Sequence, residues 1–166
     1  MNLRKMTSQD IVSVYDLIIE LAIYEKAPEE VTNTPAKMLD EGFREKPLYW
    51  GFVVEDIVGN IAENHHKIVG MAIYYIRYST WKGSCIYLED IVVTESYRGK
   101  GVGKLLFEAV MKESLQQEAA AMVWQILDWN EPALNFYRKY HANLDGEWIN
   151  GKLTNEEITN FFAKQA

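Results

Sequence analysis

Tyr97-Arg98-Gly99-Lys100-Gly101-Val102-Gly103-Lys104 lies between an apolar, β-branched run, Ile86–Val93, and a stretch whose apolar residues recur at helical spacing. Glycines at alternate positions between a strand and a helix let the backbone approach a ligand and turn several N–H groups one way. The helix N-terminus adds partial positive charge. Such a turn is a site for an anion, most naturally a pyrophosphate. Arg98 and Lys100 add full charges. Two common nucleotide loops do not fit. The triphosphate loop needs four residues between its first glycine and a Gly-Lys-Ser/Thr ending, yet Leu105 follows Gly103-Lys104 and position 98 is Arg. The dinucleotide fingerprint is Gly-x-Gly-x-x-Gly, whereas this turn is Gly-x-Gly-x-Gly.

The helix after the turn has Val102, Leu105, Leu106, Ala109 and Val110 as its expected buried stripe. Upstream, Ile68–Tyr78 and Ser84–Val93 read as two long strands joined by a turn over Ser79–Gly83, and Trp50–Glu55 as a shorter strand. Val58–Lys67 is polar and reads as a loop. Residues 8–26 read as a helix capped by Thr7 or Ser8, and Thr34-Pro35 opens a second helix that Gly42 ends. Downstream, Ala121–Leu127 is an apolar strand, and Asn130 begins a helix with Pro132 in its first turn. Trp148–Leu153 reads as a last short strand, and Thr154-Asn155-Glu156-Glu157 as a capping box opening a C-terminal helix. This order predicts one mixed α/β (α+β) domain over residues 1–166.

Composition narrows the function. The 166 residues are 48% hydrophobic and 25% charged, so disorder is excluded. Seventeen Lys and Arg against 24 Asp and Glu give −7, without the basic footprint of a nucleic-acid binder. An acidic balance suits a cationic partner better. One cysteine, Cys85, rules out an internal disulfide framework and fits a reducing compartment. The N-terminus has no apolar run like a signal peptide, and no stretch is apolar enough to span a membrane. The expectation is a cytoplasmic protein without nucleic-acid or membrane partners.

Arg98-x-x-Gly101-x-Gly103 matches the pyrophosphate signature of the acetyl-CoA-dependent N-acetyltransferases of the GNAT superfamily. The resemblance extends further. Leu21-Ala22-Ile23-Tyr24-Glu25, Tyr87-Leu88-Glu89-Asp90, Tyr97-Arg98-Gly99 and Trp129-Asn130-Glu131-Pro132-Ala133-Leu134-Asn135-Phe136-Tyr137 resemble the diamine (spermidine/spermine) acetyltransferase family, a group that includes the thialysine acetyltransferases. It weakens after Tyr140, where Asn143–Leu153 departs from the family's short acidic run before a tryptophan. The resemblance implies the GNAT fold, a mixed central sheet of about six to seven strands flanked by helices on both faces. It also implies acetyl-CoA as co-substrate, no metal, a small cationic amine as acceptor and a homodimer.

The chemistry has two proton problems. At pH 7 an alkylamine is roughly 99.9% protonated and must lose a proton before it attacks, and the departing thiolate must gain one. Strand alternation puts Tyr87, Glu89, Ile91 and Val93 on one face and Leu88, Asp90 and Val92 on the other, so Glu89 and Asp90 meet one substrate only if a bulge intervenes. The resemblance implies Glu89 as base or amine-orienting carboxylate and Tyr137 as general acid. It implies Tyr24, Glu25, Trp81 and Asp90 beside the amine. It implies a coenzyme site formed by Ile91, Val92, Val93, Arg98, Gly99, Lys100, Gly101, Val102, Gly103, Lys104, Val123, Trp124, Gln125, Asn130, Pro132 and Ala133, with strands 86–93 and 121–127 splayed to admit the pantetheine arm.

The expected function is acetyl transfer from acetyl-CoA to a primary amine of a polyamine-like cation, by direct attack in a ternary complex. No residue stands out as an acyl acceptor, and Cys85 is read as packing. His65 and His66 in the polar loop are not read as metal ligands. One alternative is a thialysine or other amino-acid side-chain acetyltransferase. Another, of a different class, is a non-catalytic acyl-CoA-sensing module.

Overall fold

The computed structural model describes residues 1–58 and 65–164. The chain divides into two compact units, Met1–Gln125 and Ile126–Ala166. The first carries strands β1 (Asn2–Lys5), β2 (Trp50–Val58), β3 (His65–Ser79), β4 (Gly83–Val93) and β5 (Met122–Val123), and helices α1 (Ile11–Tyr24), α2 (Pro35–Phe43) and α3 (Val102–Gln116). The second carries α4 (Glu131–Arg138) and α5 (Asn155–Ala163).

The sheet runs in the order β1-β2-β3-β4-β5, antiparallel up to β4, with β5 parallel to β4. Alternation along its strands assigns the two faces. Val53 pairs with Met71 and Met71 with Val92; these three and Ile73 form a core with Ile11, Val14 and Leu17 of α1 and Met38 of α2. At about 1.5–3 kcal/mol for each fully buried aliphatic side chain, that burial outweighs the weak helix propensity of the Ile- and Val-rich α1. The alternate residues, Val54 and Gly70 among them, face α3. A Cβ added at Gly70 would come 2.9 Å from Val102 Cγ1 and 3.1 Å from Leu106 Cδ1. Glycine at this position therefore lets α3 lie close on the sheet. The architecture is the expected mixed α/β sheet with helices on both faces.

Several details depart from expectation. The described residues form five strands, not six to seven. Trp148–Leu153 is not a strand, and the strand expected over 121–127 contracts to Met122–Val123. Strand propensity without a neighbouring strand to pair with does not make a strand. Conversely, the polar Asn2–Lys5 becomes one by pairing with β2, with Arg4 bonded to Asp10 and Glu55. β3 starts at His65, inside the segment expected as a loop; residues 59–64 of that segment, and the His65 side chain, lie outside what is described. His66 lies 3.6 Å from Glu55. Leu105 of the expected α3 stripe is 39% exposed, while Phe107 is buried in its place.

Candidate active site

β4 and β5 pair at two positions, Ile86 with Met122 and Tyr87 with Val123. Beyond Tyr87, β4 continues to Val93 with no β5 partner among the described residues, so the main chain of Ile91, Val92 and Val93 is paired in the sheet through β3. The parallel pairing ends at Tyr87 and Val123, where β5 itself ends. Val92 is buried beneath α1, and Ile91 and Val93 are half-buried. Trp124 packs edge-on against Phe107 with ring centres 5.4 Å apart, and Gln125 is exposed.

The turn after β4 has the backbone its glycines allow. Gly99 and Gly101 have φ of 74° and 85°, in the left-handed region that side chains disfavour, and a Cβ on either would meet nothing within 4 Å. Gly101 is the N-cap of α3 and offers no side-chain cap, so the first N–H groups of the helix, from Val102, Gly103 and Lys104, lie at an open turn. Val102 is buried, so it can serve a ligand only through its main chain. Lys100 lies 4.8 Å from the Tyr97 ring centre and Lys104 3.9 Å from Glu108. Positive-φ glycines, a long helix starting at the turn and a stretch of β4 without a β5 partner among the described residues fit a diphosphate and the extended arm attached to it.

Arg98 is more engaged than an arginine held only for a ligand. Its Nε donates to the Val93 carbonyl at 3.0 Å, its guanidinium lies 5.2 Å from the centre of the Tyr24 ring, and its terminal nitrogen is 3.8 Å from Glu20. Glu20 also accepts hydrogen bonds from Thr94 Oγ1 at 2.6 Å and from the Glu95 N–H at 3.1 Å. Nothing in the sequence reading singled out Glu20 or Thr94. The available signal was the spacing of four that puts Glu20 and Tyr24 on one face of α1.

On the other side of β4 the ladder slips. Ile73 pairs with Asp90, but Tyr74 pairs with Leu88, which leaves Glu89 as the extra residue of a β-bulge. The bulge resets alternation, so Asp90 falls on the Ile73 face that Glu89 shares with Tyr87 and Tyr75. Electrostatics agree with this placement. The Asp90 carboxyl is pushed up to about 6 by burial first, then by the negative charges of Glu89 and Glu25. Burial likewise raises Glu25, at the C-terminal cap of α1, and Glu89 above the ordinary glutamate range. The phenols of Tyr75 and Tyr87 shift upward through burial and the charge of Glu89. Asp90 therefore feels both of the other expected amine-side carboxylates, Glu89 and Glu25. Trp81 is not gathered with them: it lies in the β3–β4 turn, 87% exposed.

In the second unit, Asn130 caps α4 by accepting from the Ala133 N–H at 3.3 Å, with Pro132 in the first turn. Tyr137 is buried, with its ring 5.2 Å from that of Phe136, and burial pushes its phenol well above the usual value. It therefore carries its proton at neutral pH. Among the described residues, no three His, Cys, Asp or Glu side chains gather as metal ligands. No helix among them is long and apolar enough to cross a membrane.

Comparison with known proteins agrees with this geometry. Residues 13–142 match the acetyltransferase (GNAT) family. The chain is 35% identical over 140 residues to the thialysine N-epsilon-acetyltransferase of Bos taurus, covering 84% of this chain and 82% of that protein. It is 30% identical over 160 residues to the spermidine/spermine N(1)-acetyltransferase-like protein 1 of Homo sapiens, covering 94% of this chain and 23% of that protein. The solved structure of a BH1408 tetramutant from Bacillus halodurans superposes with a TM-score of 0.71 at 24% identity over 92% of this chain and all of that one, a likeness of fold. The chain belongs to the acetyltransferase (GNAT) family and is an acyltransferase.

Proposed function

We propose that this enzyme moves the acetyl group of acetyl-CoA to a primary amine of a small, cationic, polyamine- or diamine-like substrate, by direct attack in a ternary complex. The observation that carries the amine side is the bulge at Glu89, which puts Glu89 and Asp90 on one face, where burial first and then the charges of Glu89 and Glu25 raise the Asp90 carboxyl to about 6. A cation entering such a cluster relieves repulsion between carboxylates. On the coenzyme side, support comes from the open glycine turn and from the stretch of β4 beyond Tyr87 that has no β5 partner among the described residues.

Acetyl-CoA supplies the acetyl group as a thioester. The main-chain N–H groups of Gly99 to Lys104 would hold its diphosphate, and Ile91, Val92 and Val93 its pantetheine arm, with Val123, Trp124 and Gln125 beside it; Asn130, Pro132 and Ala133 are assigned to the coenzyme by the family resemblance. Tyr24, Glu25 and Asp90 would orient the amine, with Trp81 at the outer wall. Glu89 accepts the amine's proton, directly or through a water, and a carboxyl held above its ordinary range is the better base for it. As the new C–N bond forms and the C–S bond breaks, Tyr137 would give its phenolic proton to the thiolate, and the second proton the nitrogen sheds on becoming an amide would restore the phenol.

A second reading, an amino-acid side-chain amine as acceptor, is favoured by the thialysine relative's 35% identity over most of both chains. A panel of putrescine, spermidine, lysine and thialysine at equal concentration, read by CoA release, separates the two. Turnover of the polyamines supports the first reading, and turnover of the amino acids alone replaces it with the second. Absence of acetylated protein after incubation without amine is expected for direct attack. A non-catalytic sensing module is set aside, because the named relatives are acetyltransferases. The proposal treats residues 1–166 as one catalytic domain, since the family match runs through residues of both units. It also includes a cytoplasmic homodimer, which light scattering and cell fractionation check.

A further inference from the structure

Glu20 lies on α1, far in sequence from the glycine turn, yet its two carboxylate oxygens meet the chain where β4 ends and the turn begins. One accepts from Thr94 Oγ1 at 2.6 Å; the other accepts from the Glu95 N–H at 3.1 Å and lies 3.8 Å from the Arg98 guanidinium. One turn further along α1, the Tyr24 ring supports the same guanidinium at 5.2 Å. Arg98 in turn spends its Nε on the Val93 carbonyl at 3.0 Å. Two residues of one helix face thus grip both ends of the segment Thr94–Arg98. Glycines leave the next residues, Gly99 to Gly101, with few constraints of their own: neither added Cβ would touch anything within 4 Å. A flexible turn hung from an anchored segment owes its geometry to the anchor.

We propose that Glu20 is a positioning residue for acetyl-CoA, holding the main chain of Thr94 and Glu95 and the guanidinium of Arg98 so that the following N–H groups are set for the diphosphate. The role rests on the coenzyme reading above. A rival effect has the opposite sign. Glu20 is itself negative, so near a diphosphate it repels; about one Debye length away (~8 Å), salt screening holds the repulsion from both phosphate charges to about twofold in affinity. Charge-assisted hydrogen bonds that fix a binding loop are worth more, about five- to tenfold. The anchor therefore outweighs the repulsion, and removing it weakens binding.

The test is calorimetry with CoA, together with steady-state kinetics, on wild type, Glu20→Gln, Thr94→Val and Thr94→Ser. Gln keeps one acceptor and loses the charge; Val removes the hydroxyl and keeps every charge; Ser restores the hydroxyl. The expected result is a CoA Kd and an acetyl-CoA KM raised about five- to tenfold in Glu20→Gln and less in Thr94→Val, with kcat within twofold. Thr94→Ser should return both to wild type. Binding that tightens in Glu20→Gln makes Glu20 only a repelling charge and overturns the inference. A lowered kcat and a lowered thermal midpoint at unchanged Kd make it a structural residue and also overturn it. Wild-type protein that gives no heat with CoA sinks the coenzyme reading, a different outcome from four proteins that bind equally well, which sinks Glu20 alone.

Discussion

Asp90 stands opposite Ile73 in the β3–β4 ladder, one residue out of step with the pairing of Tyr74 and Leu88 beside it. That slip decides the character of the site. In a regular strand Glu89 and Asp90 would face opposite sides of the sheet; with Glu89 in the bulge, both act on the α1 side, where the cap of that helix brings Glu25. An apolar sheet face would not gather three carboxylates for stability, because each raises the cost of ionising the next.

That cost is measurable. The folded-state pKa of Asp90 is about 6, above the 3.8 of the unfolded chain, so the folded protein holds this proton more tightly. Its contribution to stability is whole below about pH 4 and is lost as pH rises through 6. Asp90→Asn should therefore stabilise the protein at pH 8 by about 2 kcal/mol, after allowance for solvent screening, and by almost nothing near pH 3. Urea unfolding of both proteins at the two pH values checks it. An equal difference at both would assign the effect to packing.

Glu25→Gln removes one of the charges acting on Asp90. The Asp90 midpoint, followed by carbon-detected NMR of its carboxyl, should fall below the wild-type value of about 6. It should stay above the ordinary aspartate range, since burial is the larger cause. A midpoint unmoved by the substitution would separate Glu25 from the cluster.

Gly101→Ala places a side chain at φ 85°, where open space excludes a clash but the backbone itself is strained. A loss of about 1 kcal/mol in unfolding free energy is expected. CoA affinity should fall with it, because the relaxed turn no longer directs its N–H groups. Calorimetry and urea unfolding measure the two, and unchanged affinity would remove the turn from the coenzyme site.

Tyr137→Phe keeps the buried ring and deletes the proton that burial holds on the phenol. Turnover should drop by roughly 10²–10⁴ with the CoA Kd within twofold. A drop smaller than threefold takes the acid role away from Tyr137.

The glycine turn, α3 and the cap of α4 were legible because local chemistry fixes them. Gly99 and Gly101 are the residues that turn needs, and Asn130 with Pro132 is a helix start in any context. The bulge was not legible, because alternation reports a face only while register holds, and register is a property of two strands. The same reason hid β1 and produced a false strand at 148–153: a short segment joins a sheet only when an edge is there to receive it. Glu20 escaped because its partners, Thr94 and Glu95, are 74 and 75 residues away.

If the Glu89 bulge serves an amine that takes its acetyl group from acetyl-CoA, CoA release must depend on both the amine and Glu89. Steady-state CoA release with spermidine or thialysine, for wild type and Glu89→Gln across pH 6 to 9, addresses it most directly. Wild type should release CoA only with amine present, and kcat/KM in Glu89→Gln should be lower by roughly 10²-fold or more at neutral pH and partly recovered as rising pH deprotonates the free amine. Amine-independent release, or a Glu89→Gln variant as fast as wild type at every pH, would contradict it.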